Sequence, residues 1–349
     1  MRTIEWDKGI VTTFDQTKLP HEELILKIKT LSEMAEAIKN MRVRGAPLLG
    51  ASAAYGMALT AFNSSANSKK NFFTELELSA KTLKATRPTA VNLFWAIDRI
   101  LTKVNSSNKS LEETKELVIQ EAQAISDEDV RANKAIGKHG AKLVEDGDVI
   151  LTHCNAGALA TVEYGTALGV VRAAWEQGKK IKVIATETRP LLQGARLTVY
   201  ELKRDGIPVK LITDSMVGFI VQKNMVNKIV VGADRIVQDA IINKIGTLNL
   251  AVIAHEYKVP FYVAAPKSTF DLSKKSKEII IEERKQEEVT HFGSQHVAAS
   301  GVKVFNPAFD ITPYKYVTGI IHEDGVFFKK DFETFGIDTF TKKNNPEIV

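Results

Sequence analysis

Cysteine is nearly absent from this sequence, since Cys154 is the only one among 349 residues. A single cysteine excludes an intrachain disulfide framework and fits a reducing compartment. The N-terminal residues lack the apolar core of a signal peptide, and no apolar run reaches the roughly 18 residues of a membrane-spanning helix. These absences predict a cytoplasmic protein that does not associate with a membrane.

Several motifs for cofactors and metals are also missing. The sequence contains no Gly-x-Gly-x-x-Gly, no Walker-type phosphate loop and no Gly-x-Ser-x-Gly elbow. Its seven histidines are scattered, and there is no second cysteine to share a zinc ion. The net charge of +5 is spread among acids and forms no basic stripe. We therefore predict no metal, no cofactor and no nucleic-acid partner, but a small anionic substrate fits this charge.

The chain divides into a helical part and a part in which strands and helices alternate. Residues 1–20 predict a short β-hairpin, and helical spacing follows at 31–41, where Ser32 is the predicted N-cap, and at 72–85. Further helices are predicted over 111–124 and from Ser126 towards 144. This pattern predicts a small helical domain over 1–125 and an α/β domain over 126–349.

The second part has the pattern of a parallel sheet. Short apolar runs at 149–152, 181–185, 209–212, 229–231 and 261–265 are separated by helical segments, beginning with 158–177. Right-handed crossovers would bring the carboxyl ends of these strands to one edge, with helices on both faces of the sheet. The segments 306–313 and 317–325 predict a closing loop and a strand pair, and residues after 341 are expected to fray.

Two arginines precede prolines at predicted helix starts. Arg44 is followed by Gly45, Ala46 and a proline, and Arg87 directly precedes a second proline. A helix N-terminus has unpaired N–H donors and a partial positive charge, so both positions could bind an anion. Either segment could instead be an ordinary turn, but the repetition favours one shared anion.

Polar groups also follow the predicted strands. Cys154 follows the first strand, where a buried structural thiol is the alternative, and Asp234 follows the fourth. Burial would raise the pKa of Asp234 towards the range useful for proton transfer, although it could also be an N-cap. Lys244, in a predicted loop, is a second anion contact or a solvated charge. A thiol, an acid and several anion-binding groups without a metal suit isomerisation of a phosphorylated sugar.

Six motifs, in order along nearly the whole chain, resemble those of the S-methyl-5-thioribose-1-phosphate isomerase family of methionine salvage. They are Arg-Gly-Ala-Pro at 44–47, Arg-Pro-Thr-Ala-Val-Asn-Leu at 87–93, His-Cys-Asn-Ala-Gly at 153–157, Glu-Thr-Arg-Pro at 187–190 with Gln-Gly-Ala-Arg at 193–196, Gly-Ala-Asp-Arg at 232–235 and Asn-Lys-Ile-Gly-Thr at 243–247. The resemblance implies a helical N-terminal domain on a Rossmann-like domain, a homodimer, and metal-free conversion of 5-methylthioribose 1-phosphate to 5-methylthioribulose 1-phosphate.

The resemblance also implies roles for individual residues. Asp234 would be the acid that opens the sugar ring, and Cys154 would act on the C1–C2 fragment. The implied substrate-binding residues are Arg44, Gly45, Ala46, Arg87, Gln193, Asn243 and Lys244. Two features depart from the family pattern: the segment 237–242 is short and lacks an Asn-Gly turn, and Thr186 replaces a frequent acid.

Other functions stay open at this point. A related isomerase would act on 5-deoxyribose 1-phosphate or ribose 1,5-bisphosphate, and a second basic cluster would indicate the bisphosphate. The chain also resembles the regulatory subunits of the eukaryotic initiation exchange factor, which bind without catalysis. The presence of both Cys154 and Asp234 favours the enzyme.

Overall fold

The computed structural model describes residues 1–335. Its helices are α1 Leu31–Lys39, α2 Ala46–Asn63, α3 Lys69–Lys84, α4 Val91–Asn105, α5 Leu111–Ala141, α6 Ala167–Glu176, α7 Val199–Arg204, α8 Val217–Gln222, α9 Thr247–Glu256, α10 Glu287–Thr290 and α11 Lys329–Phe335. The strands up to the middle of the chain are β1 Ile4–Asp7, β2 Ile10–Phe14, β3 Ile25–Ile28, β4 Val149–Thr152, β5 Lys182–Thr186 and β6 Val209–Ile212. The remaining strands are β7 Lys228–Val231, β8 Arg235–Ile236, β9 Ala240–Lys244, β10 Phe261–Ala264, β11 His291–Phe292, β12 Gln295–His296, β13 Phe309–Pro313, β14 Gly319–His322 and β15 Gly325–Phe328.

The N-terminal region packs around α2. This helix is rich in alanine and glycine and is buried on most of its sides, because α1, α3, α4 and α5 surround it. Small side chains allow such close helix packing, and a helix that is apolar all round belongs inside a core. A three-stranded antiparallel sheet of β1, β2 and β3 adjoins this core, so the predicted hairpin has one more strand than expected.

The second core contains a seven-stranded sheet with the order β15, β14, β10, β7, β4, β5, β6. All neighbouring strands are parallel except the β14–β15 pair. Alternate residues point to opposite faces of a strand, and each face has its own apolar cluster. Ile229 and Val231 face one cluster, whereas Ile150 and Val230 face the other. Burial on both faces explains the uninterrupted apolar runs, and the predicted α/β fold class is confirmed.

Two predicted helices are one. The predicted segments 111–124 and 126–144 belong to one continuous helix, α5, which ends at Ala141 and in which Ser126 is buried and is not a cap. The neighbouring acids have other partners, since Arg2 pairs with Asp127 and Arg99 with Glu128. The predicted domain boundary at 125/126 therefore lies inside a helix, and the division into two domains remains a prediction. Helix α5 contributes Ile125 to the N-terminal core and Ile136 to a core of the sheet.

Three helix starts differ from the predictions. The N-cap of α1 is Thr30, whose hydroxyl accepts the Glu33 N–H at 3.2 Å in a capping box. Helix α4 begins at Val91, three residues after Pro88. The predicted helix over 158–177 is a short 3₁₀ turn followed by α6, because Tyr164 and Gly165 both have positive φ. The segment 341–349, predicted to fray, lies outside the described residues. In the described part of the chain, no helix has the length and apolar character needed to cross a membrane.

Candidate active site

The site lies where the direction of the sheet order reverses. From β4 the chain adds β5 and β6 on one side, and β7, β10 and β14 on the other. The crevice outside the carboxyl ends at such a reversal is the usual ligand site of an open α/β sheet. Cys154 follows β4 and Asp234 follows β7, so the two strands at the reversal supply the thiol and the acid.

One cavity brings together all nine residues that the sequence singled out. Its empty volume is about 740 Å³, including its solvent-filled mouth. Among its lining residues are Cys154, Asp234, Arg44, Gly45, Ala46, Arg87, Gln193, Asn243 and Lys244. Their gathering in one cavity is a property of the fold, and their individual roles remain proposals.

Hydrogen bonds hold Cys154 in an unusual backbone conformation. Its φ of 61° lies in the left-handed region, which residues other than glycine rarely adopt. The Cys154 N–H donates to Thr188 Oγ1 at 2.8 Å, and Thr198 Oγ1 donates to the Cys154 carbonyl at 2.6 Å. Strained backbone of this kind is typical of functional sites. Backbone hydrogen bonds thus fix the position of the partly buried Cys154, and a functional role for its thiol remains a proposal.

His153 is a structural partner of this turn. Its Nε2 lies 2.9 Å from the carbonyl oxygen of Ile245, which can only accept, so Nε2 carries the proton. Nδ1 then accepts a hydrogen bond from Thr186 Oγ1 at 2.7 Å. Burial lowers the pKa of His153 and favours this neutral form. Thr186, which departs from the family pattern, thus fixes the ring between β5 and the segment after β9.

Arg44 is held rigidly at the start of α2. Its Nε donates to Gln16 Oε1 at 3.0 Å, Nη1 donates to the Asn155 carbonyl at 3.2 Å, and Nη2 donates to Asn155 Oδ1. Gly45 has a φ of 110°, and a Cβ there would lie 2.5 Å from the Cα of Ala160. Only glycine fits this position, and no side chain within residues 1–335 caps the first N–H groups of α2. The predicted anion site at this helix start therefore has a structural basis.

Arg87 reaches the cavity from a turn. The second proposed helix N-terminus is wrong, because α4 begins after the turn in which the Ala90 N–H donates to the Arg87 carbonyl. Arg87 Nη2 lies 3.3 Å from Glu282 Oε2, and its Nε is buried with no partner within residues 1–335. Gln193 Oε1 is likewise buried and unpaired. Buried polar atoms are normally hydrogen-bonded, so these two are suited to bind a ligand.

Asn243 and Lys244 are the last residues of β9, not part of a loop as predicted. Lys244 Nζ donates to the Ala308 carbonyl at 2.8 Å and lies 4.6 Å from the ring centre of Phe309. Asn243 Nδ2 donates to Thr247 Oγ1 at 3.0 Å. Burial lowers the pKa of Lys244, although the nearby Cys154 and Asp234 oppose this shift.

Asp234 contributes a carboxyl group to the cavity. Strand β8 follows it directly, so it is not the N-cap that the sequence left open. Its carboxyl group makes no hydrogen bond to any residue of the described segment, and burial raises its pKa against the opposing charges of Lys244 and Arg44. Burial likewise raises the pKa of the Cys154 thiol. Both shifts make the group harder to ionise, which for Asp234 is the direction that a general acid requires.

Two further hollows adjoin the cavity. A smaller one of about 470 Å³ shares a wall with it and is mainly aliphatic; its other residues include Ala90, Ile242, Ile279, Ile280 and Ile281. A wider outer groove of about 1270 Å³ opens beside Arg44, Gln193 and Arg284. Arg284 also lines the inner cavity, and sequence reasoning missed it. It lies in the charged run 282–288, which resembles a solvated surface segment.

Comparison with known proteins places the chain in a family. The model described as the initiation factor 2 subunit family matches residues 42–329. The chain belongs to this family. A methylthioribose-1-phosphate isomerase from Acetivibrio thermocellus is 50% identical over 94% of this chain and 97% of its own length.

Solved structures of this family carry two kinds of title. The 5-methylthioribose 1-phosphate isomerase from Pyrococcus horikoshii is 47% identical, with a TM-score of 0.90 over 98% of this chain and 96% of that one. A structure from A. fulgidus titled translation initiation factor eIF-2B, subunit delta, is 51% identical, with a TM-score of 0.87 over 98% and 99%. The family thus includes proteins described as enzymes and others described as translation factors.

Proposed function

We propose that this protein is an isomerase that converts 5-methylthioribose 1-phosphate into 5-methylthioribulose 1-phosphate in methionine salvage. The main observation is the cavity, in which Cys154 and Asp234 share one space with several cations. A protein that only binds its partner does not need a cysteine with strained backbone beside a carboxyl group that lacks a hydrogen-bond partner within the described residues. Isomerase relatives with about half of their residues identical to this chain support the same conclusion.

The chemistry explains why the cavity needs an acid. A phosphoryl group on O1 prevents the spontaneous ring opening of a free aldose, so the ring C–O bond must be broken actively. Asp234 donates a proton to the ring oxygen as that bond breaks, and its raised pKa keeps the proton available. The dianionic phosphate lies against Arg44, the N–H groups at the start of α2, Arg87 and Lys244. Binding of this extra negative charge raises the pKa of Asp234 further.

The remaining step transfers the C2 hydrogen to C1, and the Asp234 carboxylate left by the ring opening takes the O2 proton, so that C2 becomes the ketone and Asp234 regains its proton. Cys154 lies beside this fragment in our proposal. Because burial raises its pKa, Cys154 is a neutral thiol in the free cavity and is a poor base. This protonation state favours movement of the hydrogen directly from C2 to C1 as a hydride. The partly buried thiol then shields the cationic fragment from water.

The substituent on C5 selects among the related sugar phosphates. The aliphatic hollow beside Asp234 matches a methylthio group, whose burial is favourable by about 0.8 kcal/mol per carbon group. Of the two arginines of this hollow, Arg87 is assigned to the first phosphate, and Arg235 is paired: its Nη1 lies 3.5 Å from Asp271 Oδ2 and its Nη2 donates to the Thr89 carbonyl at 2.8 Å. A second phosphate would need unpaired cations here. This feature favours the methylthio sugar over ribose 1,5-bisphosphate.

Turnover of the purified protein on three substrates tests the function. We expect 5-methylthioribose 1-phosphate to react with the highest kcat/KM, 5-deoxyribose 1-phosphate to react more slowly, and ribose 1,5-bisphosphate least. Each missing apolar contact lowers kcat/KM by about 10- to 200-fold. Assays by NMR in D₂O with a chelator present add a second readout, because a hydride shift leaves C1 of the product free of deuterium. Absence of turnover on all three substrates would favour the non-catalytic alternative.

We also propose a cytoplasmic homodimer that binds a small phosphorylated sugar and no nucleic acid. Edge strand β6 and the residues after it expose several large apolar side chains: Leu211, Met216, Phe219 and Met225. Contiguous exposed apolar residues often mark a contact between subunits. Light scattering of the purified protein measures the number of copies directly.

A further inference from the structure

Arg284 is a fourth cation of the inner cavity. It lines this space together with Arg44, Arg87 and Lys244, and its charge contributes to lowering the pKa of Lys244. The segment carrying it is fixed by backbone hydrogen bonds on both sides: the Arg284 N–H donates to the Asn306 carbonyl at 2.9 Å, and the Ala308 N–H donates to the Glu282 carbonyl at 2.8 Å. Arg284 therefore has a defined position at the wall of the cavity.

The two edges of the Arg284 guanidinium differ in how closely other residues contact them. Its Nε lies 2.9 and 3.0 Å from the two carboxylate oxygens of Glu288, and Nη2 lies 2.9 Å from one of them. Nη2 also contacts the sulfur of Met41. In contrast, Nη1 makes a single contact within residues 1–335, at 3.4 Å to Glu282 Oε1. One edge of the group is thus anchored, and the other is loosely held.

Glu282 lies between two arginines and satisfies neither. Its Oε2 is 3.3 Å from Arg87 Nη2 and 3.3 Å from Thr89 Oγ1, and its Oε1 is the distant partner of Arg284. Charge-assisted N–H···O bonds are normally about 2.7 to 2.9 Å long. Arg87 Nε has no partner within the described segment. An anion in the cavity can therefore gain hydrogen bonds from both arginines that Glu282 leaves unmade.

We propose that Arg284 is a further binding residue for the phosphoryl group of the substrate, and that Glu282 limits the affinity of the cavity for phosphate. The Glu282 carboxylate partly neutralises Arg87 and Arg284 and repels the dianion. Without it, four cations would bind phosphorylated substrate and product too tightly for rapid release. This proposal rests on the sugar-phosphate function, but it makes a separate statement about inorganic phosphate.

Isothermal titration with inorganic phosphate tests both residues without requiring turnover. Loss of one charge-assisted hydrogen bond costs about 1.5 to 3 kcal/mol, so Arg284→Gln should raise the phosphate Kd by about tenfold or more. Glu282→Gln keeps the shape but removes the repulsion, and should lower the Kd by about three- to fivefold. In turnover assays, KM should move in the same directions, with the kcat of Arg284→Gln nearly unchanged.

Neighbouring residues supply matched controls. Lys285→Gln and Glu283→Gln make the same charge changes one residue away, at exposed positions that line only the outer groove. We expect neither to change the phosphate Kd beyond about twofold, because exposed charges are screened. A merely structural role would make Arg284→Gln and Glu282→Gln shift in the same direction, with lower thermal midpoints, and would overturn the proposal. If opposite shifts occur without any isomerase turnover, the phosphate site stands and only the proposed reaction fails.

Discussion

Charged groups on the two sides of Asn155 differ in how they are paired. Behind it, away from the cavity, Glu201 is almost fully buried and accepts hydrogen bonds from Asn155, Arg172 and the backbone N–H groups of Ala158 and Leu159. In the cavity, within residues 1–335, the Asp234 carboxyl group makes no hydrogen bond, and Arg87 Nε and Gln193 Oε1 are unpaired. A paired buried charge holds the structure together, whereas an unpaired one is suited to a ligand.

Arg44 connects the two sides. Its guanidinium faces the cavity but is oriented by Asn155, which in turn is held by Glu201. Glycine at 157 makes this arrangement possible, since a Cβ there would lie 2.3 Å from the Glu201 carboxylate. The hydrogen-bonded groups around Glu201 therefore position the Arg44 guanidinium in the cavity. Mutations in the cavity should therefore lower activity with little effect on stability, whereas mutations behind it should lower stability and also disturb Arg44.

The largest effect is expected from the thiol and the acid. Asp234→Asn should lower kcat by about 10³-fold or more, because it removes the proton donor, and Cys154→Ser should lower kcat as well, because a smaller and more polar hydroxyl shields the cationic fragment less well from water. The Asp234 carboxyl group has no hydrogen-bond partner within residues 1–335. The thermal midpoint of Asp234→Asn should therefore stay the same or rise. Turnover and thermal unfolding of the same preparations measure both properties. Full turnover by either variant would contradict the proposed mechanism.

Lower stability is the main effect expected from mutations behind the cavity. Glu201→Ala should lower the free energy of unfolding by about 3 to 5 kcal/mol, because it leaves the buried Arg172 without one of its carboxylate partners. Chemical denaturation measures this loss. The control is Glu23→Ala, which removes an exposed partner of Arg204 and should leave the free energy of unfolding nearly unchanged, because exposed ion pairs contribute little. Equal stability of the two variants would mean that the Glu201 cluster is not structural.

A smaller, pH-dependent effect is expected at Asp129. Burial raises the pKa of this carboxyl group to about 7, and its Oδ2 accepts the Val162 N–H at 2.7 Å. A carboxyl whose pKa is higher in the folded state contributes stability at low pH, and this contribution is lost as the pH rises through the folded-state pKa. Between pH 5.5 and 8, the wild type should lose about 1 to 2 kcal/mol from this group.

Asp129→Asn should remove this part of the pH dependence, because an amide does not ionise. Denaturation at several pH values measures it, and Asp127→Asn is an exposed control on the same helix. An identical pH dependence in Asp129→Asn and the wild type would show that the carboxyl is already ionised at pH 5.5.

Which strands form could be predicted from the sequence because local pattern determines them. The runs ending near Thr152 and Val231 are apolar on both faces, and small or polar residues follow each of them. Parallel connections place such strand ends on one edge, and this rule was enough to identify Cys154 and Asp234 as candidates. The nine candidate site residues also proved to line one cavity, and their roles remain proposals.

Helix boundaries were harder to predict, because they depend on partners elsewhere in the chain. Ser126 followed by three acids has the pattern of an N-cap, but packing in the middle of α5 overrides that local preference. The turn carrying Arg87 is similar, since Glu282, almost 200 residues further along, contacts both Arg87 and Thr89. No local pattern contains such information.

The sequence by itself determined the order of strands and helices, the glycine at 45 and the chemical groups available for catalysis, because these follow from side-chain type and spacing. The tertiary structure alone decided which charges are paired. The burial that raises the pKa of Asp234, the orientation of Arg44 by Asn155 and the place of Arg284 at the cavity wall all arise from contacts between distant segments. Electrostatic interactions depend on distance and on exclusion of water, and both are set only when the chain has folded.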